Sequence, residues 1–181
     1  MRIIGGRKQR LQIHAPKGLP VRPTTDKTKE SIFNILNNWF DFEELEVLDL
    51  FSGTGNMSYE FASRECRKVT AVEENPKAVD FIRETARKHD FSNLEVVKAD
   101  VFTFLRKGSL AYDLIFADPP YDMKETGRIY DFVFENNLLN AGGWLMIEHS
   151  KTSDYSTHKH FSEVRKYGRT MVSVFKLPEK G

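Results

Sequence analysis

Short apolar runs alternate with helical periodicity from residue 46 onward. Glu46-Val-Leu-Asp-Leu50, Lys68-Val-Thr-Ala-Val72, Leu94-Glu-Val-Val-Lys98, Tyr112-Asp-Leu-Ile-Phe-Ala117 and Trp144-Leu-Met-Ile-Glu148 each have the length and aliphatic content of a buried parallel strand. Between them lie segments with apolar residues three and four apart. These are a stretch beginning near Asn56, Asn75 to His89 with Ala78, Val79, Ile82 and Ala86 on one face, Val101 to Arg106, and Gly127 to Leu139. Such alternation predicts an α/β fold, a mainly parallel sheet with helices on both faces. Phe161 to Lys166 and Thr170 to Leu177 alternate with period two around Gly168, which predicts an antiparallel hairpin that completes a seven-stranded sheet. The Gly142-Gly143 turn is expected to precede the fifth strand.

Ahead of this alternation, Thr25 to Phe40 reads as an amphipathic helix capped by Thr25 or Asp26. Ile32, Phe33, Ile35, Leu36, Trp39 and Phe40 form its apolar stripe, and Lys27, Lys29, Glu30 and Asn34 fall on the polar face. Arg2-Ile-Ile-Gly-Gly6 and Leu11-Gln-Ile13 read as two short strands of a small basic β-hairpin. A length of 181 residues fits one domain over residues 1–181, with residues 1–22 as an N-terminal arm.

The net charge of +1 conceals a division. Residues 1–25 hold Arg2, Arg7, Lys8, Arg10, Lys17 and Arg22 with no acid, so the remainder is net acidic. A basic ribbon can lie on phosphates, which makes Arg2, Arg7, Lys8, Arg10 and Arg22 candidate nucleic-acid contacts; the alternative is a solvated, partly disordered arm. Cys66 is the one cysteine, so neither a disulfide framework nor a metal cluster is expected, and the thiol reads as packing. No apolar stretch approaches membrane-spanning length, and a cytosolic location is expected.

Candidate chemistry lies where the predicted strands end. The first runs into Phe51-Ser-Gly-Thr-Gly55, giving Asp49-x-Phe51-x-Gly53-x-Gly55. Glycines at a strand-to-helix turn let backbone approach a ligand closely, and the following helix start offers N–H groups. Position 58 is Ser where the dinucleotide fingerprint has its third glycine, and Asp49 would repel a pyrophosphate. A cationic ligand with an ammonium and a sulfonium suits this turn better. The second strand ends at Glu73, at the separation expected of an acid that binds a ribose, the third at Asp100 and the fourth at Asp118. Each alone reads equally as a solvated acid or a helix cap, whereas four at equivalent positions form a site.

Asp118-Pro119-Pro120-Tyr121 adds the reacting end. Consecutive prolines stiffen the turn and supply no N–H, leaving the carbonyls beside them open to a ligand. One such carbonyl and the Asp118 carboxylate can accept the two hydrogens of an exocyclic NH2, and Tyr121 offers a face on which a base can stack. The plainer alternative is a stiff turn with a solvated Asp118 and a packed Tyr121.

Taken in order, these motifs resemble the S-adenosylmethionine-dependent amino-methyltransferases of the Rossmann-like class. Arg2-Ile-Ile-Gly-Gly6 and Arg22-Pro-Thr-Thr-Asp26 sharpen the resemblance to the bacterial 16S ribosomal RNA guanine-N2 methyltransferase family. The resemblance implies a Rossmann-like fold, S-adenosyl-L-methionine as cofactor, and the N2 amine of a guanine in small-subunit 16S ribosomal RNA as acceptor. It also implies that Asp118, Pro119, Pro120 and Tyr121 are catalytic and that Asp49, Phe51, Gly53, Gly55, Glu73 and Asp100, with Thr24 and Thr25, bind the cofactor. One departure is the run Arg7-Lys8-Gln9-Arg10-Leu11, where the family commonly has a further glycine. A DNA amino-methyltransferase shares Asp-Pro-Pro-Tyr, but no insertion here matches a target-recognition domain. Glutamine methyltransferases typically have Asn at the position of Asp118. A non-catalytic RNA-binding assembly factor would have no need of Asp49, Glu73 and Asp118.

Overall fold

A computed structural model of the chain describes residues 1–19 and 24–179. Seven strands form one sheet: β1 (Glu46–Leu50), β2 (Lys68–Glu73), β3 (Leu94–Lys98), β4 (Tyr112–Ala117), β5 (Leu139–His149), β6 (Phe161–Tyr167) and β7 (Thr170–Lys176). Their order is β3-β2-β1-β4-β5-β7-β6, with β1 to β5 parallel and β7 antiparallel to both of its neighbours. Among the described residues, five α-helices, α1 (Asp26–Leu36), α2 (Asn56–Ser63), α3 (Pro76–Lys88), α4 (Val101–Lys107) and α5 (Gly127–Glu135), cover the two faces.

Strand alternation divides the core. Val47 faces a layer that includes Ile32 and Phe33 of α1, Phe61 of α2 and Ile82 of α3, while Leu48 and Leu50 face Val101 and Leu105 of α4 and Ile129 and Val133 of α5. The Gly142-Gly143 pair lies inside β5, where the register against β4 shifts between Tyr112 and Leu114. It therefore marks a bulge within a longer strand, which the isolated strand pattern of Trp144 to Glu148 did not reveal.

The first helix departs from its sequence pattern. Regular structure ends at Leu36, and Trp39 is 65% exposed, although it continues the apolar spacing. Lys29, expected on the polar face, is fully buried. Its Nζ donates to the Arg2 carbonyl (2.5 Å), Asn56 Oδ1 (3.0 Å) and Glu60 Oε1 (2.8 Å). Glu60, also fully buried, accepts from the Ile4 N–H at 2.7 Å and from Arg64. Ion pairs with no access to water survive only with such complete partnering.

This cluster anchors the N-terminal arm. Pairing within the arm is narrower than two strands: one bridge, Arg2 to Gln12, flanked by Ile3 N–H to the Leu11 carbonyl (2.9 Å) and Ile13 N–H to the Met1 carbonyl (2.9 Å). Burial of Ile3 and Ile13 holds this hairpin against the body of the protein, so the solvated-arm alternative does not describe it. At its tip, Arg7 N–H donates to the Ser63 carbonyl (2.7 Å), and a Cβ on Gly6, at φ +75°, would lie 2.0 Å from that same oxygen. Glycine is required there on both counts.

Replacing Lys29 by Met should cost about 3 kcal/mol, the low end for breaking a buried pair, because Arg64 still faces Glu60. Urea unfolding measures the loss, and limited proteolysis between Arg7 and Arg10 should speed up as the arm is released. A loss below about 1 kcal/mol, the scale of an exposed ion pair, would show that the cluster is not the anchor.

Candidate active site

β1 and β4 lie side by side, while the chain leaves β1 toward β2 and leaves β4 toward β5 on the other side. Such a switch in direction opens a crevice at the carboxyl ends of the two strands. A cavity of about 970 Å³ lies there, lined by Thr24, Thr25, Asp49, Phe51, Gly53, Glu73, Asp100, Asp118, Pro119, Pro120 and Tyr121. Residues far apart in the sequence are thus brought to one edge of the sheet.

The loop after β1 is braced from β2. Glu73 Oε2 accepts from the Gly53 N–H at 2.8 Å, and Oε1 accepts from the N–H groups of Glu74 (3.1 Å) and Asn75 (2.9 Å). A carboxylate offers about four acceptor positions, so one is left over for a ligand hydroxyl. Phe51 holds a positive φ of 59°, a conformation that costs a non-glycine residue energy and that clusters at ligand-binding turns. Gly55 is absent from the cavity wall. It caps α2 at φ 84°, where a Cβ would come within 2.8 Å of the Tyr59 ring, so its demonstrated part is to start that helix.

Asp49 is 2% exposed and accepts from the Ser58 hydroxyl. Burial pushes its carboxyl up to about 7; hydrogen bonds from Ser58 and Ser52 oppose the shift and the charge of Glu73 adds to it. Asp100 stands on the rim as the cap of α4, accepting from the Thr103 N–H at 2.8 Å, and those Thr103 hydrogen bonds hold its carboxyl below the usual range. The helix-cap reading is therefore correct for Asp100, and it lines the cavity as well. Thr25 caps α1 through the Thr28 N–H (3.2 Å), and the Thr24 carbonyl accepts from Asn56 Nδ2 at 2.9 Å.

At the other end of the crevice, the Asp118 N–H approaches the Leu50 carbonyl at 3.5 Å, which sets the Asp-Pro-Pro-Tyr turn directly beside the end of β1. The Pro120 carbonyl is taken by the Met123 N–H (2.9 Å), while among the described residues no group donates to the Pro119 carbonyl. Pro119 is buried, and Tyr121 is 79% exposed at the mouth. The turn thus presents an acid, one open carbonyl and an uncovered aromatic face.

Among the described residues, none of the arm's cations lines this cavity. Arg2 pairs with Asp26 (2.9 Å), Arg7 with Glu65 (3.8 Å), and the Lys8 ammonium lies 5.5 Å from the Phe91 ring, just beyond the end of α3. Arg10 is exposed, and Arg22 lies outside the described residues. The wall also contains residues that the sequence reading did not single out for the site: Asn56, Ser150, Ser153, Lys166, Tyr167 and Arg169. No local motif marks them, because the β6–β7 turn reads only as a hairpin connection. His149 lines the wall but is engaged, with Nδ1 2.8 Å from the Ser150 carbonyl and Nε2 2.8 Å from Ser173 Oγ. The carbonyl can only accept, so Nδ1 carries the proton, and burial lowers the basicity of the ring.

Because the folded protein holds the Asp49 proton more tightly than the unfolded chain, stability without ligand should fall as pH rises from about 4 to about 7 and level off above. Asp49→Asn retains an acceptor for Ser58 and removes this titration, so its melting temperature relative to the parent should climb across that window. Parallel profiles for the two proteins between pH 4 and 8 would rule the effect out.

The family described as Conserved hypothetical protein 95 matches residues 1–176. Ribosomal RNA small subunit methyltransferase D of Buchnera aphidicola subsp. Baizongia pistaciae is 30% identical over 84% of this chain and 77% of its own. Bacillus subtilis YlbH, provisionally named an rRNA methyltransferase, is 31% identical over 97% of this chain and 98% of its own. Among solved structures, Escherichia coli yhhF superposes with a TM-score of 0.87 at 21% identity, covering 99% of each chain. An RNA methyltransferase from Salinibacter ruber, in complex with S-adenosyl-L-homocysteine, gives 0.68 at 15% identity over 88% of this chain and 96% of its own. Those two likenesses establish the Rossmann-like methyltransferase fold. With the family matched across nearly its whole length, the chain belongs to the Conserved hypothetical protein 95 family, that of ribosomal RNA small subunit methyltransferase D.

Proposed function

We propose that this protein transfers a methyl group from S-adenosyl-L-methionine to the exocyclic N2 amine of a guanine in 16S ribosomal RNA of the small subunit. Residues 1–181 then act as a single methyltransferase domain in the cytoplasm. The observation that carries the reading is the juxtaposition, in one cavity, of Glu73 and the β1 loop with Asp118 and the exposed Tyr121. Family membership supports ribosomal RNA as the acceptor, and the motif resemblance favours guanine over adenine.

The residues present fit the cofactor. Asp49, Glu73, Asp100 and Asp118 make the wall acidic, which suits a ligand bearing an ammonium and a sulfonium, and Glu73 keeps an acceptor position for a ribose hydroxyl. About 970 Å³ is at the upper end of what one small-molecule site uses, leaving space for a base. When bound, S-adenosylmethionine supplies a methyl group activated by a positively charged sulfur.

The chain's own task is to hold and polarise the amine. The lone pair of guanine N2 is delocalised into the ring, which makes it a weak nucleophile. Hydrogen bonds from the NH2 group to the Asp118 carboxylate and the Pro119 carbonyl favour a pyramidal nitrogen and stabilise the positive charge that develops on it during attack. Tyr121 provides the stacking face for a base that has left its own stack, and the rigid Pro-Pro turn fixes both acceptors before the substrate arrives. Gly53 positions Glu73 through its N–H, so the cofactor end is organised in the same way.

Glu73→Ala should weaken S-adenosylmethionine binding by about 1.5–3 kcal/mol, the scale of a hydrogen bond to a charged group, as read by calorimetry on the purified protein. Unchanged affinity would remove Glu73 from the cofactor site. Asp118→Ala should leave that affinity close to the parent's and lower the single-turnover methylation rate on the order of 10²–10³-fold, by analogy with the loss of one transition-state hydrogen bond. A near-normal rate would discard the polarising role.

Incubation with labelled cofactor and separate RNA, DNA and protein acceptors, followed by digestion and mass spectrometry, identifies the product. N2-methylguanosine in small-subunit RNA is the expected result. Label only in adenine, or only in glutamine, would overturn the assignment and leave the fold unaffected.

A further inference from the structure

The cavity lining includes exposed cations as well as acids. Lys166, Tyr167, Gly168, Arg169 and Thr170, where β6 turns into β7, line the same cavity as Asp118 and Tyr121. The position follows from topology: β7 is antiparallel to β5, and Met171 near its start pairs with His149 at the end of β5. The turn is thereby delivered to the edge of the sheet where the parallel strands terminate.

Lys166 and Arg169 are both exposed, and among the described residues neither forms an ion pair. Arg165, one position earlier, is by contrast held by Glu163 at 2.7 Å. Gly168 sits at φ +61° with no heavy atom within 4 Å of where its Cβ would be, so nothing packs against the tip of the turn. In the arm, by comparison, Arg2 pairs with Asp26, Arg7 with Glu65, and Lys8 lies over Phe91, while Arg10 is exposed but outside the cavity lining.

We propose that the β6–β7 turn, through Lys166 and Arg169, grips the RNA phosphates beside the nucleotide whose base enters the Asp118 pocket. The inference rests on the reading of RNA as the acceptor and adds the surface that holds it. An acid-lined cavity repels phosphate, so the backbone of a splayed nucleotide must stay at the rim while its base goes in. Two long, unpaired cations on that rim meet the requirement. Tyr121, exposed on the same cavity, makes the pair specific to a polyanion that also carries bases.

The test compares Lys166→Ala/Arg169→Ala with Lys88→Ala/Lys107→Ala, which removes equal charge from the ends of α3 and α4. RNA binding is measured by anisotropy across a salt series with a small-subunit RNA fragment, together with steady-state methylation and calorimetry of the cofactor. For the turn variant, log affinity against log salt should be shallower by about 1.4, two phosphates of single-stranded character. Its KM for RNA should rise on the order of tenfold, with kcat at saturating RNA and cofactor affinity unchanged. The α3/α4 variant should match the parent. A parental slope and KM in the turn variant, with the parent protein methylating RNA, would overturn the proposal and leave the functional reading intact. Failure of the parent itself to methylate RNA would bring down both, and the two results are distinct because the second is seen without any mutation.

Discussion

The buried ammonium of Lys29 joins three segments that the sheet alone would leave independent. It binds the Arg2 carbonyl of the arm, Asn56 at the start of α2, and Glu60 one turn further along. Apolar contacts such as Ile32 and Phe33 against Phe61 tolerate small slides, because burial depends on area and hardly on direction. A charge without water depends on direction, since each missing partner exposes a large desolvation cost. Asn56, which lines the cavity, extends the constraint by donating to the Thr24 carbonyl, so Lys29 braces one wall of the cavity without being part of it.

At the crevice, the acids each have a part in the fold. Glu73 collects three backbone N–H groups, Asp100 caps a helix, and Asp49 takes the hydroxyl of Ser58. Such contacts fix side chains that would otherwise sample several rotamers, and a fixed acceptor costs less to organise when a ligand arrives. The same arrangement explains why Asp49 tolerates its position. Its proton is retained to about 7, so the interior need not hold a full charge until the pH exceeds that value or a cation sits nearby.

Most of the crevice was legible because parallel strands turn linear order into spatial order. Acids at the ends of β1, β2, β3 and beyond β4 must converge once those strands are adjacent, and Asp49, Glu73, Asp100 and Asp118 do line one cavity. Lys29 was illegible for the opposite reason. Helical periodicity assigns a lysine to the polar face, and only the arm and α2, distant in sequence, supply the partners that make its burial tolerable. Trp39 erred the other way, since the helix stops at Leu36 before its spacing can turn it inward. Gly55 matched the expected motif, yet its demonstrated work is steric, against Tyr59.

Net charge near neutrality describes this molecule poorly, because the sign of charge changes across one cavity. Acids come from the carboxyl ends of the parallel strands, and the cations of Lys166 and Arg169 come from a turn that a wholly parallel sheet would not have put there. A parallel strand beside β5 would have to start at the sheet's far edge, and its connection would cross a face. β6 makes that return, since it runs parallel to β5 and residues 150–160 carry the chain back to the far edge; the β6–β7 turn then stands at the ligand edge, where the antiparallel β7 starts beside the end of β5. On the proposed reading, that arrangement separates two demands on the site: the strand ends suit a cationic small molecule and the closing hairpin suits a polyanion, with the Asp-Pro-Pro-Tyr turn lining the same cavity.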